Sequence, residues 1–223
     1  MTRLLVARRA RPCDERGTVL VETAIVALLL MSLLVGTFEL GMGWRSSITN
    51  SNSARAGARV SAYQGTGYQA DYASLLAVSS GLKSLSRLSV VKVIIFKATT
   101  GSPTVPSSCL ALSPTASTTT PVGLDTASTK CNVYSGSQLN AISAGTITAA
   151  NFGAGTGAAG PCAASKLDYY WCPFDRANLQ ATGLDDVGVY VEVSHPTFSG
   201  MFGSSFTIRD TEIMQIEPSA TGA

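Results

Sequence analysis

One uncharged run governs what this chain can become: from Thr23 to Phe38 there is no charged residue, and the run opens directly after a carboxylate, Glu22. Leu40, Met42 and Trp44 carry the apolar character past a single interruption at Glu39. About 20 predominantly apolar residues are enough to cross a bilayer core as one helix. A carboxylate at the mouth of such a run is expensive in lipid and calls for a partner. Glu39 follows Thr18 by 21 residues, about 30 Å along a helix, so it is expected near the outer headgroups, snorkelling to water.

Ahead of the run lies a basic leader, residues 1–17, with Arg3, Arg8, Arg9, Arg11 and Arg16 against Asp14 and Glu15. Five arginines before an apolar helix stay cytoplasmic by the positive-inside rule, which sends the C-terminal part outward. Removing the leader takes the 16 basic and 14 acidic residues to 11 and 12, a formal charge of −1, so nucleic-acid binding finds no support. A content of 45% hydrophobic and 13% charged residues fits an anchored extracytoplasmic protein better than a cytosolic enzyme. An ordinary secretory signal peptide has a shorter apolar core and a small-x-small cleavage site, and the nearest candidates here, Gly36 and Gly41 to Gly43, have Glu39 among them. An uncut signal anchor fits the length. Neither alternative accounts for Glu22.

Cysteine usage agrees with export. Cys13 lies in the leader, which leaves Cys109, Cys131, Cys162 and Cys172, an even set that reads as two disulfides. Three connectivities are open, and the sequential one, Cys109 with Cys131 and Cys162 with Cys172, closes the shortest loops. A metal site is the weaker reading, because there is no C-x-x-C and the sole histidine, His195, lies in another segment.

Past Trp44 the helix is expected to continue through Tyr63, with Ser47, Asn50, Ala54, Gly57, Ala58 and Ser61 forming a narrow small-residue face for close packing. Arg55 and Arg59 stand four apart beside it, either solvated or meeting acidic groups of the C-terminal sheet or of an adjacent subunit. Gly65 to Gly67 breaks the helix, Tyr68 to Leu85 reads as a second one, and Leu88 to Ala98 is the clearest strand. Val187 to Ser194 alternates valine with Gly188, Tyr190, Glu192 and Ser194, the mark of a strand with one face on a core, and its expected cover is the first helix. Phe206 to Ile216 is a third strand. Between them, residues 99–184 turn to Ser, Thr, Gly, Ala and Pro, and read as a disulfide-pinned excursion at the surface. Its cluster Tyr169, Tyr170, Trp171 is either a satellite core or an exposed contact patch. The organisation is thus leader 1–17, transmembrane helix 18–44, helix extension with second helix and first strand 45–98, excursion 99–184, C-terminal strands 185–218 and tail 219–223. The fold class is α+β.

No residue set assembles into a catalytic one. His195 precedes Pro196 at a strand end, where a turn residue is expected, and a nucleophile pair would have to use it. Asp185, Asp186 and Asp175 read as turn-solvating, with a loosely held calcium the alternative. The stretch 153–160, GAGTGAAG, lacks the lysine of a phosphate loop and reads as flexible. No cofactor, no metal and no enzymatic activity are expected.

The segment Arg16-Gly17-Thr18-Val19-Leu20-Val21-Glu22 resembles the type IV pilin and pseudopilin signal, in which a prepilin peptidase cuts after the glycine. The whole stretch resembles the TadE-like family, minor pilins or pseudopilins of tight-adherence (Flp) pilus systems. Its features are a glutamate opening the apolar run (Glu22), a second near its end (Glu39), an Ala-Arg-x-Gly-Ala-Arg element (Ala54 to Arg59) and the closing Met214-Gln215-Ile216-Glu217-Pro218. The resemblance implies a pilin-like fold, cleavage between Gly17 and Thr18, and assembly roles for Glu22, Glu39, Arg55 and Arg59. Implied partners are a prepilin peptidase, other TadE/TadG-type minor pilins, the major Flp pilin and the inner-membrane assembly platform. Implied location is the cytoplasmic membrane, single-pass, or the extracellular pilus. The alternative is a signal-anchored binding protein that never enters a filament.

Overall fold

The computed structural model describes residues 15–85, 87–99, 104–115, 117–153, 160–180, 183–200 and 203–218. The leader to residue 14, the glycine-rich stretch 154–159 and the tail 219–223 lie outside them. Helix α1 (Glu15–Gln64) runs unbroken for 50 residues, about 75 Å. It contains no proline, and it stops where Gly65 takes a left-handed φ of +52° and its N–H donates to the Ser61 carbonyl at 3.0 Å. Then follow α2 (Ala70–Leu82), β1 (Ser89–Ala98), α3 (Ser107–Ala111), β2 (Gly123–Asp125), β3 (Lys130–Ser135), α4 (Gly136–Ser143), the short pair β4 (Asn178–Leu179) and β5 (Gly183–Leu184), and β6 (Asp186–Pro196) and β7 (Ser205–Gln215). The main sheet is antiparallel in the order β2-β3-β1-β6-β7. The class is α+β, a long N-terminal helix followed by an antiparallel sheet domain.

Close approach of α1 to the sheet follows from its small residues. Asn50, Ala54, Gly57, Ala58 and Ser61 are buried, while Ser47 is exposed and Ser46 and Ser53 take its place on the packed side. Over them lies the valine face of β6, with Val187, Val189, Val191 and Val193 fully buried, and Asn50 Nδ2 donates to the Val191 carbonyl at 3.2 Å. Against α2 the fit is tighter. A Cβ on Gly57 would stand 2.6 Å from Val78 Cγ2, and the Ser74 hydroxyl donates to the Gly57 carbonyl at 3.0 Å. The last strand returns to the same helix, where the Glu217 N–H donates to the Ala62 carbonyl at 3.1 Å and Ile216 is buried.

Two expectations are corrected. The second face of β6 does not look to solvent: Tyr190 and Glu192 are buried, because a second core of Ile94, Phe96, Cys109, Cys131, Val133 and Tyr190 covers it. Within the range 99–184 it is Val105, Cys109, Leu112, Val122 and Leu124 that supply that cover, so this part is not a mere surface excursion. In the same range β3 is a central strand, flanked by β1 and β2, and it passes directly into α4 through a capping box in which Ser135 Oγ accepts from the Gln138 N–H and Gln138 Oε1 accepts from the Ser135 N–H. The disulfides join Cys109 to Cys131 and Cys162 to Cys172. The first fastens α3 onto β3. In the aromatic cluster Trp171 belongs to the main core, whereas Tyr169 is exposed and packs edge-on to Tyr170 with ring centroids 5.3 Å apart.

Beneath α2 lies a buried polar centre. Asp71 Oδ2 accepts from the Tyr134 hydroxyl at 2.7 Å and from Asn132 Nδ2 at 2.9 Å, while Oδ1 pairs with Arg176, whose guanidinium lies 4.3 Å from the Trp171 ring centroid. Asp168, also buried, accepts the Gly153 N–H on both oxygens at 2.9 and 3.1 Å. These contacts tie α2, β3 and the 160–180 loops into one unit. A buried pair broken on one side leaves an uncompensated charge. Asp71→Asn is therefore expected to destabilise the domain by about 3–5 kcal/mol in denaturant unfolding. Burial, then the Asp71 charge, push the Asp168 carboxyl up to about 7, against the Gly153 hydrogen bonds that hold it down. With the folded value above the unfolded one, the native state holds more protons, so this contribution is complete below about pH 4 and is lost as pH rises through 7, roughly 1.4 kcal/mol for each unit of difference. Asp168→Asn should flatten the stability–pH curve in that window, measured as denaturation midpoints from pH 4 to 8.

Candidate anchoring and assembly surface

The first half of α1 stands away from its own domain. Between Gly17 and Leu34 every described side chain is exposed, including Leu20, Ile25, Leu28, Met31 and Leu33, and the helix is long and apolar enough to cross a membrane. Its few hydroxyls are turned inward: Thr23, Ser32 and Thr37 each donate to a carbonyl of the preceding turn at 2.8 Å. That hides their polarity from an apolar surround. Gly17, Thr18 and Glu22 all lie on this exposed stretch, with Thr18 and Glu22 one turn apart on the same face. Glu22 has no hydrogen-bond or ion-pair partner among the described residues.

Glu39 behaves otherwise, and the snorkelling expectation is corrected. It is only 2% exposed, and it accepts the Phe198 N–H on Oε1 at 3.0 Å and the Ser199 hydroxyl on Oε2. The β6–β7 turn reaches back along α1 and takes the carboxylate for itself, so the domain begins one turn below the end of the apolar run. Gly43 leaves room just above for the Phe206 ring: a Cβ there would stand 2.8 Å from Phe206 Cζ and push the ring aside. Beside this contact Leu40, Trp44, Phe206 and Ile208 line an open apolar groove of about 570 Å³.

Of the arginines, Arg55 meets the sheet, its Nη2 2.8 Å from Glu212 Oε1 on β7. Arg59 is exposed one turn on, with no carboxylate partner among the described residues. Glu22 and Glu39 are not brought together, being 17 residues apart on one helix, about 26 Å. Sequence reading missed several buried polar positions. His195 lies within β6 and is buried, its Nδ1 3.1 Å from Ser46 Oγ, so it is no turn residue. Asp185 is buried too, pairing with Lys97 at 2.6 Å and accepting the Ala177 N–H at 3.0 Å, where a solvated turn was expected. On the other sheet face the Tyr190 hydroxyl donates to Glu192 at 2.8 Å, and burial with that neighbouring charge raises the phenol. Arg209 also reaches Glu192 at 3.2 Å, which raises the guanidinium further.

Removing the Glu39 carboxylate takes away the acceptor that the Phe198 N–H uses to hold the β6–β7 turn. Glu39→Ala should lower stability by about 1–3 kcal/mol. It should also speed hydrogen exchange at the Phe198 amide while leaving that of β1 unchanged; equal exchange at Phe198 would show that the carboxylate does not hold the turn.

Comparison with known proteins bears on this surface alone. Residues 17–59 match the family model described as TadE-like protein, about a fifth of the 223-residue chain. No curated protein and no solved structure matches the chain. The matched stretch holds the exposed apolar half of α1, Glu22, the captured Glu39 and most of the face that packs on the sheet. The chain thus carries a TadE-like N-terminal segment, set on an α+β domain with two disulfides.

Proposed function

We propose that the protein is a minor pilin or pseudopilin of a tight-adherence pilus system, with a structural role in assembling the filament or its secretion apparatus and no catalytic activity of its own. The observation that carries the reading is the exposed helix from Gly17 to Leu34, TadE-like in sequence and covered by none of the described residues. A helix of this kind needs an apolar surround, first lipid and then the helices of neighbouring subunits. In this reading the leader is cytoplasmic and the domain extracytoplasmic, as the positive-inside rule requires, and the two disulfides fit that compartment.

A prepilin peptidase hydrolyses the Gly17–Thr18 peptide bond, and the new Thr18 amine is cationic. The amine and Glu22 lie within one turn, and either left unpaired in lipid carries a penalty of several kcal/mol. Pairing, within a subunit or between an incoming amine and a neighbour's Glu22, removes much of it and so favours ordered docking. The partners are the peptidase, other TadE/TadG-type minor pilins, the major Flp pilin and the inner-membrane platform. Arg59, exposed beside the Arg55–Glu212 pair, is a contact for an acidic group of an adjacent subunit; as an exposed ion pair it sets register more than strength, at about 0–1 kcal/mol.

Mass spectrometry of the chain from its native membrane, with and without the peptidase, is the direct test. A peptidase-dependent start at Thr18 is expected, and a chain retaining its leader in both would make this a plain signal anchor. Glu22→Ala should leave membrane insertion intact and abolish surface pili; normal piliation would remove the docking role of Glu22.

A further inference from the structure

On the flank of α1 opposite the apolar groove lies a second, smaller cavity of about 130 Å³, between α1, the α2–β1 connection and the end of β6. Its lining sets Arg45, Arg87 and His195 among the apolar side chains of Met42, Leu85 and Leu88. Both arginines are exposed, and neither has a carboxylate partner among the described residues; the Arg87 guanidinium lies 5.8 Å from the centroid of the Phe198 ring. His195 is 95% buried, and its Nε2 has no hydrogen-bond partner. In the tautomer in which Ser46 Oγ donates to Nδ1, Nε2 carries the hydrogen and is a donor. Two guanidiniums and the unpartnered ring nitrogen of a lining histidine, around a cavity with room for about four waters, make a cradle for a tetrahedral oxyanion.

Its height along the helix narrows the source of that anion. Arg45 follows Thr18 by 27 residues, about 40 Å of helix, while a bilayer with its headgroups is about 40–45 Å thick. Arginine side chains extend several ångströms and direct their charge toward an interface. We propose that this cavity binds a phosphate group, supplied either by a phospholipid headgroup of the outer leaflet, in which case it seats the domain on the membrane surface, or by free phosphate. The height argument rests on the membrane orientation given above; the cradle does not.

His195 is the only histidine in the chain, so the imidazole Cε1–H signal of the untagged full chain in phosphate-free maltoside micelles reports the site directly. Titration with dihexanoyl phosphatidylglycerol should move that signal saturably, and an uncharged glycolipid of the same chain length should not. Arg45→Gln with Arg87→Gln should weaken the response at least tenfold. Response to the lipid and not to inorganic phosphate assigns the site to a headgroup; response to inorganic phosphate at similar strength assigns it to the free anion, and both support a phosphate site. A signal unmoved by either, or equally moved in the double variant, overturns it. Separately, quenching of Trp44 by brominated phosphatidylcholine in nanodiscs, with Trp44→Phe reporting buried Trp171, reads the height of this region. Absent quenching with an intact His195 response would refute the membrane orientation and leave the phosphate site standing.

Discussion

Close packing of one helix against one sheet through residues without bulk is the constraint on which the rest of the molecule depends. Where Ala54, Gly57 and Ala58 face β6 and α2, backbones approach near enough for side chains to hydrogen-bond across to main-chain carbonyls, as Asn50 does to Val191 and Ser74 to Gly57. A bulkier face would hold the elements apart and leave these donors buried without acceptors, each costing about 1–3 kcal/mol. Because α1 is continuous, that rigid seat also fixes the direction of its exposed half. The apolar stretch is thus a stiff extension of the domain, aimed by the packing at the other end.

Glu39 is where the two halves of α1 meet, and its capture changes what a charge in this position does. A carboxylate that snorkels marks only a boundary. One that accepts the Phe198 N–H and the Ser199 hydroxyl holds the β6–β7 turn against the helix just where the apolar run ends. The same turn presents Phe198 under Arg87 and leads into Phe206 over Gly43. Charge, aromatic rings and a missing side chain together set the domain's lower rim at one height on the helix.

Much of this architecture was legible in the residues. Valines at every second position mark a buried strand face, and small residues at spacings of three and four on a helix mark close packing, so β6 on α1 could be read directly. The second face of β6 could not, because its cover comes from residues distant in the chain, with a composition poor in large apolar side chains. There Cys109 and Cys131 do the work that leucines do elsewhere: a disulfide is compact, apolar and fully buried here, and it closes a core that Ser- and Thr-rich sequence could not fill. The buried polar partners were hidden for a related reason. Asp71 in a helix's first turn, Asp185 before a strand and His195 before a proline each have an adequate local explanation, and only the fold shows that each has a long-range partner.

The polar centre under α2 has a further consequence for how the chain holds together. Asp71 and Arg176 are buried without exposure, and such a pair seldom exceeds a well-packed apolar substitute in stability. What it adds is exclusivity, since Tyr134, Asn132 and Arg176 satisfy Asp71 only when β3, α2 and the loop after Cys172 are all in place. A segment of Ser, Thr and Gly with few large side chains has many compact arrangements of similar energy. A buried carboxylate that only one arrangement can satisfy raises the energy of the others, and the two disulfides reduce their number. Specific structure in the described residues of this segment therefore rests on polar and covalent contacts together with the large side chains it gives the main core, among them Tyr134, Leu139, Phe152, Leu167 and Trp171.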